Sequence, residues 1–214
     1  MDKCICKLEV DKNNHKVYGK GFFCEIPSKE MKVLITNNHN IDSTVLSKRG
    51  KLKYFINNNG DEYEKFLNLG INRYTYTEKK NDSTIIEIKD EDCIDYFIKV
   101  EENNNEEDVL KYENVFTLQY PETKDLSFSS GQIVDIDEKN NEYLLYNIGL
   151  KKGFSGSPII LLKNFNIVGL HKDGSKQLNI KDEKINKGII FKKILAKIPY
   201  KDELLIDDKM RILY

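Results

Sequence analysis

The chain has little of what would take it to a membrane, a nucleic acid or a metal. Nowhere do about 18 apolar residues follow one another, as a spanning helix requires. The opening Met1-Asp2-Lys3-Cys4-Ile5-Cys6 holds no apolar run of signal-peptide length. Neither sign of charge prevails: 34 Lys and Arg stand against 35 Asp and Glu, a net charge of −1, so no polybasic footprint for nucleic acid or an anionic bilayer emerges. Only three histidines (His15, His39, His171) and four cysteines occur, with no Cys-x-x-Cys pair, and neither a zinc site nor a disulfide framework is indicated. The expectation is a cytoplasmic protein with free thiols that calls for no metal or organic cofactor and binds neither nucleic acid nor membrane.

Helical periodicity is scarce as well. Short runs rich in Ile, Val, Tyr, Phe and Thr alternate with clusters of Asn, Asp, Lys and Gly. They predict strands over 4–10, 16–26, 32–36, 52–56, 72–77, 84–88, 114–120, 131–137, 142–148, 158–162, 167–170 and 188–191. About a dozen short strands at this spacing imply an all-β fold, barrel or sandwich. Asn57-Asn58-Asn59-Gly60 is a turn signal, and Glu138-Lys139-Asn140-Asn141 separates two strands able to pair as a hairpin. The polar stretch from Glu101 to Asp108 reads as a linker between lobes. Phe191, Ile194, Leu195 and Ile198 recur at helical spacing before Pro199, which predicts one short closing helix.

Gly153-Phe154-Ser155-Gly156-Ser157-Pro158 sets a hydroxyl between two glycines and runs into an apolar strand. A serine hydroxyl is a weak nucleophile that needs a neighbouring base and backbone donors aimed at the oxyanion. Glycine at 153 lets the chain turn its amides inward, so the Gly153 and Ser155 amides are the candidate donors. A plain Gly/Ser/Pro turn is the competing reading. The Gly-x-Ser-x-Gly elbow of α/β-hydrolases is not met, because position 157 is serine and a strand-like run follows.

Among the histidines, His39 follows Val33-Leu34-Ile35 in Thr36-Asn37-Asn38-His39-Asn40, where a buried strand emerges into a loop. An imidazole there can take and return a proton near neutrality. His15 reads as a hairpin tip. Asp82, just ahead of the apolar Thr84-Ile85-Ile86, is the candidate to hold the imidazole's tautomer, with Asp61 and Asp90 as rivals.

Together, the apolar-Thr-Asn-Asn-His39, Asp82-Ser-Thr-Ile-Ile and Gly-Phe-Ser155-Gly-Ser-Pro segments resemble the trypsin-like peptidases of the chymotrypsin fold, which use the order His, Asp, Ser. Gly19-Lys20-Gly21-Phe22-Phe23 is similar to the strand that precedes the histidine in that family. The resemblance spans residues 4 to 198 or so. It implies two six-stranded antiparallel barrels with a short C-terminal helix: an N-terminal barrel over 1–100 carrying His39 and Asp82, a linker over 101–112, a second barrel and helix over 113–200 carrying Ser155, and a tail over 201–214. It implies a serine endopeptidase acting on peptide or protein substrates. The alternative is a catalytically silent domain of the same shape that holds a peptide or protein partner.

Within the family, Ser-Gly-Ser-Pro and Ile167-Val168-Gly169-Leu170-His171 look most like the glutamyl endopeptidases. That likeness implies that His171 lines the primary specificity pocket and donates a hydrogen bond to a Glu or Gln side chain. Leu150, with Lys151 and Lys152, stands in the loop where those relatives carry threonines. Residues 171–174, including Lys172 and Gly174, resemble the edge strand along which a peptide adds. Phe154 replaces the aspartate of secreted members that answers zymogen cleavage, so activity should need no N-terminal processing. Those members also bridge the strand before the histidine to the residue after it. Cys24 is matched to the first place and Asn40 fills the second, so no such disulfide is expected.

Overall fold

The computed structural model describes residues 1–12, 15–58, 60–100, 110–119, 127–137, 142–149, 154–180 and 183–200. The first lobe contains β1 (Ile5–Lys12), β2 (His15–Ile26), β3 (Met31–Thr36), a one-turn helix α1 (Ser43–Ser47), β4 (Lys51–Asn58), β5 (Asp61–Asn68), β6 (Thr75–Glu78), β7 (Ser83–Ile88) and the two-residue β8 (Ile98–Lys99). The second contains β9 (Asn114–Gln119), β10 (Ser127–Ile136), β11 (Tyr143–Tyr146), β12 (Pro158–Leu161), β13 (Ile167–Ile180), β14 (Glu183–Ile190) and α2 (Phe191–Leu195). Much of the linker, residues 101–109, and the tail 201–214 lie outside the described residues, as does the tip 138–141 between β10 and β11. Among the described residues no helix is long and apolar enough to cross a membrane.

Six strands close into a barrel in the second lobe, in the order β10-β11-β14-β13-β12-β9. The first lobe departs from the expected six-stranded barrel. It is an eight-stranded sheet, β5-β4-β1-β2-β3-β7-β6 with β8 parallel on β2, and its ends share no ladder. Two features explain the open seam. β6 is only four residues long, and β5 turns most of its length to solvent. A side chain spans the gap instead. Arg73 donates from Nε to the Asn68 carbonyl at the end of β5 (2.6 Å) and from Nη1 to the Glu87 carbonyl on β7 (2.7 Å). It also forks onto both Asp92 oxygens (2.6 and 2.8 Å).

Because side chains alternate along a strand, a strand buried on both faces reads as an unbroken apolar run. Val33-Leu34-Ile35 on β3 is such a run. Leu34 joins Leu8, Phe23, Tyr54, Leu67 and Ile86 inside the curl of the first lobe. Val33 and Ile35 face the other way, with Ile5, Phe22 and Cys24, into a core shared with Phe116, Ile160, Leu170 and Phe191 of the second lobe. The two lobes therefore meet across one continuous apolar seam, and α2 plugs it with Phe191 and Ile194.

Candidate active site

β3 ends at Thr36, and the loop that follows carries His39 to the rim of the seam. Hydrogen bonds to the first lobe hold that loop, the Lys12 ammonium on the His39 carbonyl (2.8 Å) among them. Thr84 Oγ1 donates to the Ile41 carbonyl (2.6 Å), Asn37 Nδ2 donates to the Asp82 carbonyl (3.0 Å), and Asn38 Nδ2 donates to Thr77 Oγ1 (2.7 Å). Asp82 sits in the β6–β7 turn with φ of 48°, a left-handed conformation that Asp tolerates better than most residues. The turn aims its carboxylate at His39: Oδ1 accepts from the His39 amide at 2.9 Å and Oδ2 meets Nδ1 at 2.8 Å. A carboxylate only accepts, so Nδ1 carries a proton, and in the neutral form of the ring the lone pair is on Nε2. The rivals are elsewhere: Asp61 opens β5 opposite Asn58, and Asp90 lies 3.9 Å from the Lys32 ammonium on the surface.

Ser155 lies in the turn before β12, closed by the Ser157 amide on the Phe154 carbonyl (3.0 Å). Its carbonyl accepts from the Lys20 amide of β2 (3.0 Å) and from Asn40 Nδ2 (3.1 Å). Asn40 is the residue after His39 and also donates to Thr36 Oγ1 (3.1 Å), which itself donates to the Lys20 carbonyl (2.6 Å). This network, of residues that lie in the quoted motifs with no role read for them there, fastens the serine turn of one lobe to the histidine loop of the other. Gly156 makes the approach possible. At φ of 92° its missing Cβ would stand 1.9 Å from the Lys20 carbonyl oxygen, so no other residue fits without moving β2.

The Ser155 hydroxyl donates to the Lys172 carbonyl at 3.3 Å, and among the described residues no hydrogen bond joins it to the His39 ring. The Ser155 amide has no partner among those residues, which leaves it available as a donor. Gly153 and Leu150, expected in the oxyanion hole and the substrate pocket, lie outside the described residues.

On the other flank, Gly156 donates to the His171 carbonyl (3.2 Å) and His171 to the Ser157 carbonyl (2.9 Å), seating the turn on β13. The β12 partner ends at Pro158 opposite Leu170, so beyond His171 that flank of β13 has no strand beside it among the described residues, while Gly174 pairs with Asn186 of β14 on the other flank. The His171 ring is 3% exposed, and its Nδ1 meets the Tyr146 hydroxyl of β11 in a short hydrogen bond. Burial, helped by the nearby His39, pulls the His171 pKa down to about 3. The same burial drives the Tyr146 phenol up, so both partners are neutral near pH 7.

Gly19, and not the Cys24 that the resemblance implies, is the β2 residue packed against Asn40: a Cβ on Gly19 would fall 2.3 Å from Asn40 Cγ. Cys24 lies five residues along β2, opposite Val33 in the seam, where burial pushes its thiol pKa up. All four cysteines are free thiols. Phe154, at the place of the zymogen aspartate, is buried.

The trypsin-like peptidase domain, as a family model, matches residues 19–170. No curated protein matches the chain by sequence. Among solved structures, the serine endoprotease from Yersinia pestis superposes with a TM-score of 0.64 at 14% identity, over 97% of this chain and 64% of that one. The chain thus spans a little under two thirds of that protein's length. Deg5 superposes with a TM-score of 0.64 at 13% identity, over 92% of this chain and 87% of its own. At such identities the likeness is one of fold.

Proposed function

The chain belongs to the trypsin-like peptidase family, and from that premise we propose that it is a serine endopeptidase that hydrolyses peptide bonds through an acyl-enzyme on Ser155. His39 Nε2 takes the Ser155 proton as the hydroxyl attacks and returns it to the leaving amine. Asp82 holds the imidazole's tautomer and steadies its charge, and the Ser155 and Gly153 amides stabilise the oxyanion. The observation that carries the reading is the His39–Asp82 pair, 2.8 Å between Nδ1 and Oδ2, on a loop that Asn40 ties to Ser155.

An extended peptide adds along the free flank of β13 and takes the Lys172 carbonyl with its own amide. That frees the Ser155 hydroxyl to rotate toward His39. The free thiols suit a reducing, cytoplasmic setting.

His171 bears on the residue before the scissile bond. A neutral imidazole, its Nδ1 engaged by Tyr146, offers one Nε2–H donor and no charge. A glutamine carbonyl accepts that bond at no cost in desolvated charge, whereas a glutamate carboxylate finds no compensating charge on that imidazole. Gln is the preferred residue.

The catalytically silent alternative draws on one observation, the Ser155 hydroxyl bonded to Lys172 instead of His39. Fluorophosphonate labelling and cleavage of a mixed peptide library separate the two. The wild type is labelled and cuts after Gln, and Ser155→Ala loses labelling and at least about 10⁴-fold in rate. A folded wild type that binds peptides without labelling or turnover would establish the silent reading, and cuts after Lys or Arg would remove His171 from the pocket.

A further inference from the structure

Lys20 gives the site its backbone, amide to Ser155 and carbonyl to Thr36, yet its side chain has no part in the chemistry above. The residue is 6% exposed, and among the described residues its ammonium has no hydrogen-bond or ion-pair partner. Across the ladder stands Lys7, whose own ammonium meets both Glu62 oxygens at 3.3 Å and lies 4.7 Å from the centroid of the Phe55 ring. Burial first, and the Lys7 charge second, pull the Lys20 pKa down to about 8. β2 therefore holds a largely desolvated cation, its stem buried and its ammonium still in reach of solvent, whose neighbouring carboxylate is already engaged. Such a group is costly alone and gains when an anion arrives.

The direction from which an anion arrives follows from the two grips on Ser155. The serine turn is held on one side by β13, through His171 and Lys172, and on the other by β2, through Lys20. A peptide whose acyl half lies along the free flank of β13 has to leave Ser155 on the β2 side. We propose that Lys20 is a specificity-determining residue that pairs with the carboxylate of an Asp or Glu in the first two residues after the scissile bond. The assignment rests on the endopeptidase reading, and it concerns the leaving half of the substrate, which His171 does not touch. Since the backbone of Lys20, and not its side chain, holds Ser155, the side chain can be exchanged without cutting that tie.

The test uses the full chain and peptide pairs that differ only in Asp against Asn at each of those two positions. A charge-assisted contact of this kind gives the wild type about a tenfold higher kcat/KM for the Asp peptide at one of them. Lys20→Met brings the ratio to about one, and Lys20→Arg keeps it above one. A measurement on the wild type alone guards against a variant that misfolds. The charged groups that bear on the Lys20 amine are Lys7 on β1 and Glu62 on β5, the buried Cys6 thiol beside them being neutral, and as pH rises through 8 the amine deprotonates and the Asp/Asn ratio falls. Equal cleavage of both peptides by the wild type, or a ratio undiminished in Lys20→Met, overturns the assignment and leaves the endopeptidase reading standing. A wild type that neither labels nor cleaves overturns both.

Discussion

His39 and His171 are the same side chain under opposite conditions. The His39 side chain is 44% exposed and paired with a carboxylate that is itself 10% exposed, whereas His171 is sealed against a neutral phenol. The difference is readable in stability. In the unfolded chain His171 takes up a proton as pH falls below its ordinary value of about 6.5, but in the folded chain it resists down to about 3. The unfolded state thus binds the extra proton between those limits, and stability declines as pH falls through that window, by at most about 1.4 kcal/mol per pH unit. Urea unfolding at pH 7 and pH 5 measures it: the wild type loses more between the two than His171→Gln does. Parallel losses would mean that His171 reaches water.

At the scale of elements, the open edge of the first lobe depends on Arg73. Sequence patterning finds β4, with its apolar alternation, but passes over β5, where Asp61-Glu62-Tyr63-Glu64-Lys65 offers none. β5 forms because the turn before it returns the chain onto β4, with Gly60 at φ of 94° and its amide on Asn57 Oδ1 (2.9 Å). β13 and β14 also run well beyond their apolar cores, since pairing with each other extends them. Removing Arg73 strands the buried Asp92 charge and frees the end of β5 from β7. Arg73→Ala therefore costs about 3–5 kcal/mol in urea unfolding, and Arg73→Met with Asp92→Asn recovers part of it because no charge is left unpaired. A cost below about 1 kcal/mol would show that the ladders alone close the lobe.

At the scale of the whole molecule, the seam between the lobes gives the site its geometry. Histidine loop and serine turn come from different lobes, and each is only as well placed as the apolar contact beneath it. Phe191 is 2% exposed and packs against Phe22 of β2, ring centroids 6.2 Å apart. Beyond α2, Ile198 is buried in the same seam, and the Tyr74 hydroxyl of the first lobe donates to the Lys197 carbonyl (3.2 Å). Phe191→Ala opens a cavity at that joint and costs about 3–5 kcal/mol. Thermal denaturation reads it as a drop in Tm, and an unchanged Tm would mean that the lobes hold together without the helix.

The amino-acid order alone determined the strand-rich architecture, the short closing helix and the residue types able to do acyl transfer, because apolar alternation and Gly/Ser/Pro punctuation are local properties that need no partner to be read. It named Asp82 ahead of Asp61 and Asp90 but could not bring its carboxylate to His39, set Gly19 rather than Cys24 against Asn40, or give Thr36, Asn40, Lys20 and Tyr146 their partners. Each of those depends on which distant backbone arrives alongside. The left-handed turn at Asp82, the register of β2 on β3 and the meeting of two lobes over one apolar core bring them together, and these are decided only when the chain closes on itself.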